Sequence, residues 1–260
     1  MILNVKLVEK DAVFDTNFGE VHNVSDGGFE RGYAEGETKG YQKGYTEGET
    51  KGFEDGAKSE YDRFWDNFQQ NGTRTAYGYA FRAWTEELFK PKYDITPAGY
   101  ITGVFNTANI PDLKGILESR GVKLDTSKCT ALLQWFQDSS VKYIPEIDAR
   151  KSGNNNYLFY TSSIITIDKL ICSEATHFSS TTFNAKNLES VIIEGTIGVN
   201  GFNVSYSPKL SYESLMSIIN SLKDFSGTGE TRTCTLGATN LAKLTDAEKA
   251  IATEKGWTLA

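Results

Sequence analysis

Glu146 and Asp148 stand two residues apart, and Asp168, Glu174, Glu189 and Glu194 follow them. Paired carboxylates are what glycoside hydrolysis needs, one to protonate the leaving oxygen and one to attack or to activate water. Carboxylates scattered along short β-rich runs are also the ordinary covering of a solvated surface, and that use is expected here. The chain has two histidines, His22 and His177, with no cysteine or carboxylate cluster beside either, so a zinc site is not expected. Cys129, Cys172 and Cys234 lie far apart in no metal-ligand spacing, and their odd number argues against a disulfide framework. They read as three small buried thiols. No Ser–His–Asp pattern or phosphate loop is present. The expectation is a protein without catalysis, cofactor or metal.

The elements that would carry a binding function follow from composition. Residues 1–60 hold 13 acids and 7 bases, and the other 200 hold 21 and 20, so the net charge of −7 is concentrated at the start. Nucleic acid repels such a chain, and no basic stripe offsets this. No apolar run approaches the roughly 18 residues that a membrane span needs, so no membrane insertion is expected. The opening "MILNVKLVEKDAVF" alternates apolar and polar residues without a basic start and apolar core. It does not read as a secretory signal, which predicts synthesis in a cytoplasm.

"GFERGYAEGETKGYQKGYTEGETKGFEDG" places glycine at every fourth position: Gly28, Gly32, Gly36, Gly40, Gly44, Gly48, Gly52 and Gly56. Good helix formers sit between them, and aromatic residues follow several of them, among them Tyr33, Tyr41 and Tyr45. On a helix the glycines form a stripe drifting by about 40° per step. Each costs roughly 1 kcal/mol against alanine, so something must offset the loss. Close helix–helix approach along the glycine groove is the natural candidate, with the tyrosines sealing its edge. These residues are therefore expected to drive homo-oligomerisation or a hairpin. The ladder resembles two families, one built of consecutive G-x-x-x units and one the G-x-x-x-G segment of the flagellar export regulator FliH. Both imply helix packing and neither implies catalysis. After the ladder, Tyr61, Phe64, Trp65 and Phe68 recur at helical spacing, and "NG" at 71–72 stops the helix.

The second half repeats itself. Phe105, Phe136, Phe159 and Phe183 each precede a polar stretch and then an apolar run, at steps of 31, 23 and 24 residues, with Phe202 as a shortened last copy. Runs such as "VKYIPEI", "SIITIDKLI" and "ESVIIEG" read as one strand per copy. That period predicts a leucine-rich solenoid. The stretch is similar to BspA-type leucine-rich repeats at Leu124-Asp125-Thr126-Ser127, Phe136, Ser139-Ser140, Ile144-Pro145 and Ile147-Asp148. Phe159, Ser162-Ser163 and Ile167-Asp168 match the next copy. It departs where Trp135 and Leu158 replace the family's methionine, and where the cysteine before the serine pair is missing.

"SYESLMSIINSL" carries a helical apolar face, and Thr245 with Glu248 reads as a capping box, with Gly256 at the helix C-cap. This tail resembles the end of repeat proteins carried by phages and prophages of gut Firmicutes, and the opening 28 residues resemble the start of small phage structural proteins. The expected fold class is α+β. It comprises a β-rich attachment segment over 1–27, a GxxxG-ladder helix over 28–72 and a linker with a short helix over 73–99. BspA-like leucine-rich repeats over 100–210 and a helical cap over 211–260 complete it. The resemblances imply a phage virion protein of the tail fibre or tail tip. It would join other virion proteins through its N-terminal part and bind a bacterial surface protein or glycan through its repeats. The alternative is an intracellular scaffold that docks a partner helix on the ladder. Expected ligand-binding positions on the strand face are Lys142, Glu146, Thr166, Asp168 and Glu194, with Tyr143 and Tyr157 able to stack on sugars.

Overall fold

The computed structural model describes residues 62–68, 77–179 and 181–260. The attachment segment over 1–27 lies outside the described residues. So does the whole ladder, Gly28 to Gly56 with Tyr33, Tyr41 and Tyr45.

A short helix over 62–68 comes first. In chain order there follow β1 (Ala98–Thr102), α1 (Leu113–Ser119), β2 (Lys128–Leu133), β3 (Tyr143–Asp148), β4 (Thr166–Cys172), β5 (Ser190–Gly195) and β6 (Phe202–Asn203). The chain ends with α2 (Tyr212–Ser221), β7 (Arg232–Thr235), α3 (Ala238–Leu241), α4 (Asp246–Glu254) and β8 (Trp257–Leu259). β3, β4 and β5 coincide with the runs rich in Ile and Val that read as strands. Alternate residues such as Ile144, Ile167 and Val191 are buried and pair across the sheet.

A solenoid would line its strands into one continuous sheet. Here they fall into three separate parallel sheets, β1-β2, β3-β4-β5 and β6-β7-β8. The capped leucine-rich solenoid expected for 100–260 is therefore corrected to a mixed helix-and-strand body with small parallel sheets. The cause is local. β1 and β2 precede their anchors Phe105 and Phe136, whereas β3, β4 and β5 follow Phe136, Phe159 and Phe183. The two sets of strands thus belong to different sheets. The middle sheet also cannot grow. α1 packs on β3 at one edge. At the other edge α2 stands where a further strand would be, and the Ser214 and Ser217 hydroxyls accept the Val191 and Ile193 N–H groups at 2.9 and 2.8 Å. An edge strand left bare would template pairing with another chain, and these serines close it.

The phenylalanine anchors form the core. Successive rings from Phe81 through Phe105, Phe136, Phe159 and Phe183 to Phe202 lie 5.1, 5.2, 5.9, 5.6 and 5.3 Å apart. All six are buried. Aromatic pairs at this range contribute about 0.5–1.5 kcal/mol each beyond the area they remove from water. Phe81 is a copy that the repeat alignment did not contain, in a stretch read as linker. Phe89 and Ile95 are buried beside it, and the bridges Thr85–Asn109 and Ile95–Leu124 join this stretch to its neighbours. Trp65 and Phe68 of the 62–68 helix close that end of the core, as their spacing implied.

Buried hydroxyls tie each copy to the next. Thr126 Oγ1 donates to the Asp148 carbonyl at 3.0 Å and Ser207 Oγ to that of Phe183 at 2.7 Å. At the C-terminus the capping box is formed: the Thr245 hydroxyl accepts the Glu248 N–H, and the Glu248 carboxylate accepts the Thr245 N–H. Gly256 ends α4 at φ 85°, and a Cβ there would lie 3.1 Å from the Glu230 carbonyl oxygen, so only glycine turns the chain into β8 at no cost. Among the described residues no helix is long and apolar enough to cross a membrane.

Candidate functional site

Four of the five expected ligand-binding residues share the middle sheet: Glu146 on β3, Thr166 and Asp168 on β4, and Glu194 on β5. Lys142 sits just before β3. Its amide donates to the Pro111 carbonyl at 2.9 Å, and its own carbonyl accepts the Ile165 and Thr166 N–H groups at 2.8 and 3.0 Å. The acidic residues on this face are already matched. Lys169 lies between Glu194 at 2.9 Å and Glu146 at 3.5 Å, and Lys114 of α1 reaches Asp168 at 2.6 Å. The hydrogen bond that Lys169 donates to Glu194 raises its ammonium pKa, and the one that Lys114 donates to Asp168 does the same for Lys114. Exposed pairs of this kind are screened by water and add little to stability. They do cancel the charge of the face. Tyr143 and Ile192 stand exposed on the same sheet.

Two other carboxylates considered for catalysis, Glu174 and Asp148, are also matched. Glu174 pairs with Lys223. Asp148 is buried, and its carboxylate takes the Arg150 guanidinium at 2.6 Å and the Arg150 amide at 3.0 Å. Burial pushes the Asp148 carboxyl up, but the Arg150 contacts outweigh burial and hold it below the usual carboxylate range. Hydrogen bonds from the Ser127 hydroxyl and amide hold Asp125 low in the same way. Both groups are easier to protonate in the unfolded chain. The stability they add is complete above the unfolded value, about pH 4, and is lost as pH falls below it. Acid titration followed by circular dichroism is expected to show this loss, and Arg150→Ala to move the acid midpoint to higher pH. An unmoved midpoint would remove Asp148 from the account.

Cys129, Cys172 and Cys234 are all buried, and burial pushes each thiol up to about 12. A thiol so far from ionisation is not poised as a nucleophile at neutral pH. No group of three or more His, Cys, Asp or Glu able to hold a metal occurs among the described residues.

A second face lies along the turns that carry the phenylalanines. Tyr79, Gly103, Gln134 and Tyr157 each stand two residues before an anchor, at φ 54°, 63°, 59° and 56°. Amide-to-carbonyl bonds keep these turns in register. Phe81 donates to Val104, Phe105 to Trp135, and Phe136 to Leu158, at 2.9, 2.8 and 2.9 Å. The four positions therefore form one column. The Tyr79 ring lies across Gly103, where a Cβ would fall 2.3 Å from a ring carbon, and its hydroxyl donates to Gln134 Oε1 at 3.1 Å. In the next row Asn154 Nδ2 donates to the Tyr100 hydroxyl at 3.0 Å. Tyr79, Tyr100 and Tyr157 keep about two fifths of their surface exposed, at 41%, 38% and 39%.

No family model, no curated protein and no solved structure matches this chain. The geometry therefore stands by itself. Of the two tyrosines expected to stack on sugars, Tyr143 belongs to the sheet face and Tyr157 to the turn column. The structure unites Tyr157 with Tyr79 and Gln134, which the sequence reading did not name. The available signal was the offset of two residues from each anchor. A tyrosine or glutamine with left-handed backbone is uncommon, so residue type alone did not disclose it.

Proposed function

We propose that the protein is a non-enzymatic virion component of a bacteriophage that attaches to a bacterial surface. Its N-terminal part joins copies to one another and to other virion proteins, and the body over 77–260 presents the receptor-binding surface. The observation that carries the attachment role is the row of exposed tyrosines and side-chain amides on a turn stack fixed by backbone hydrogen bonds. Tyrosine supplies wide contact area with few rotatable bonds, and for that reason it is enriched at binding surfaces. A rigid scaffold loses little entropy when it binds. The virion placement is supported by the resemblance of the opening and closing segments to phage proteins.

The test is a mass-spectrometric inventory of purified phage particles, joined to a sedimentation assay of the purified chain with Firmicute cell envelopes. The chain is expected in the particles and on the envelopes, with no sugar or peptide released. Absence from the particles overturns the virion placement, and failure to sediment overturns the attachment role.

A further inference from the structure

We propose that the turn face made by Tyr79, Tyr100, Gln134, Asn154 and Tyr157 is a binding site for an uncharged, linear oligosaccharide. The assignment rests on the attachment role above and gives it a place and a ligand class.

Tyr79 and Tyr157 are the first reason. Their backbones are left-handed, where Gly103 in the same column is at ease and a bulky side chain is strained. The same left-handed backbone recurs at Ala83, Thr107, Gln134, Asp138 and Thr161, so the turns impose it and residue type is free to vary there. Core packing does not call for tyrosine at these turns, because both rings remain about two fifths exposed, at 41% and 39%. The Tyr79 ring rests on Gly103 with the Arg82 guanidinium 5.6 Å from its centroid, and Tyr157 meets Tyr160 edge to face at 5.2 Å, so both rings are braced while part of each stays open to water.

The polar groups between the rings are the second reason. Gln134 Oε1 is taken by the Tyr79 hydroxyl, which fixes the plane of the amide. Its two N–H groups have no acceptor among the described residues. Asn154 is fixed from both sides, by the Tyr100 hydroxyl at 3.0 Å and the Asn156 amide at 3.1 Å. A pyranose has an apolar C–H face that lies on an aromatic ring and hydroxyls at its rim that pair with planar amides. Rings and amides set in alternation are the complement of that pattern.

Charge and spacing define the class. The five residues are tyrosines and amides, whereas the sheet face carries Glu146, Lys169 and Glu194 in ion pairs. The Arg82 guanidinium over the Tyr79 ring disfavours a cation, and the amides and phenols suit an uncharged ligand rich in hydroxyls. The two strained tyrosines are separated by three turn-to-turn steps, marked by ring separations of 5.1, 5.2 and 5.9 Å between the anchors beneath them. The Tyr79 ring bridges part of that span by reaching Gln134, and with Tyr100 and Asn154 in the next row the face has room for a short chain of sugars.

Three uncharged tetrasaccharides serve as probes against the full chain: chitotetraose, cellotetraose and maltotetraose. Binding is read by saturation-transfer NMR and titration calorimetry. At least one is expected to bind with a dissociation constant on the order of 1 mM or tighter. Tyr157→Gly suits the left-handed backbone and removes only the ring, so it is expected to keep the melting temperature and weaken binding at least about tenfold. Gln134→Glu, which replaces the free N–H donors with an acceptor, is expected to do likewise. Tyr143→Ala, on the sheet face, is expected to change nothing. No binding of any probe overturns the proposal, as does binding indifferent to Tyr157→Gly. Envelopes separate the two levels of the argument. If Tyr157→Gly still sediments with envelopes, the site is wrong and the attachment role stands. If the unaltered chain fails to sediment, the attachment role falls. If protease treatment of the envelopes abolishes sedimentation, the ligand is a protein and the proposal is overturned.

Discussion

Phe136→Ala is expected to lose about 3–5 kcal/mol of folding free energy, the range for removing a buried phenylalanine. Phe136 stands in the middle of the aromatic row. Its ring lies 5.2 Å from Phe105 at an interplanar angle of 3°, and 5.9 Å from Phe159. It is fully buried, and its carbonyl accepts both the amide and the hydroxyl of Ser139. Truncation therefore removes two ring contacts and opens a cavity between two turns that share a hydrogen-bond register. A domain has only about 5–15 kcal/mol of stability in total, so this one change is large. Urea unfolding checks it: the midpoint is expected to fall steeply while the slope stays the same. Phe136→Leu fills most of the volume and is expected to lose roughly half as much or less. A loss below about 1 kcal/mol for the alanine variant would show that the row is not what holds the turns together.

The same row explains what the sequence disclosed. Large apolar residues recurring at near-constant steps mark positions where copies touch. Phe105, Phe136, Phe159, Phe183 and Phe202 were legible for that reason. Phe81 was not. The stretch after it, "RAWTEELFKPKYD", is charged and lacks the serine pair and the β-rich run that follow the later anchors. β3, β4 and β5 were legible because their branched residues alternate. The division of the strands into three sheets was not, because it depends on contacts that no local pattern encodes. Ser214 and Ser217 look like ordinary residues of an amphipathic helix, yet their hydroxyls close the edge of β5. The candidate site divides in the same way. Glu146, Asp168 and Glu194 were found on the sheet by alternation, but their lysine partners make that face self-contained. Tyr79 and Gln134 escaped notice because they adopt a backbone conformation that their residue types seldom take.

Thr126 carries the second large expected effect. Its side chain is buried, and its oxygen makes two hydrogen bonds to one residue. It donates to the Asp148 carbonyl at 3.0 Å and accepts the Asp148 N–H at 2.7 Å. A single hydroxyl thus satisfies both backbone groups at the end of β3, in a place that water does not reach. Thr126→Val keeps the shape and removes both bonds. Each backbone group left unpaired in the interior costs about 1–3 kcal/mol, so a total loss of about 2–6 kcal/mol is expected. Thr126→Ser keeps the oxygen and gives up one methyl group, at about 1 kcal/mol. The order valine below serine is therefore the decisive reading, since burial of apolar surface alone would favour valine. The same urea experiment measures both variants. If valine equals or exceeds serine in stability, the Thr126–Asp148 bridge is a consequence of the fold and not a cause of it.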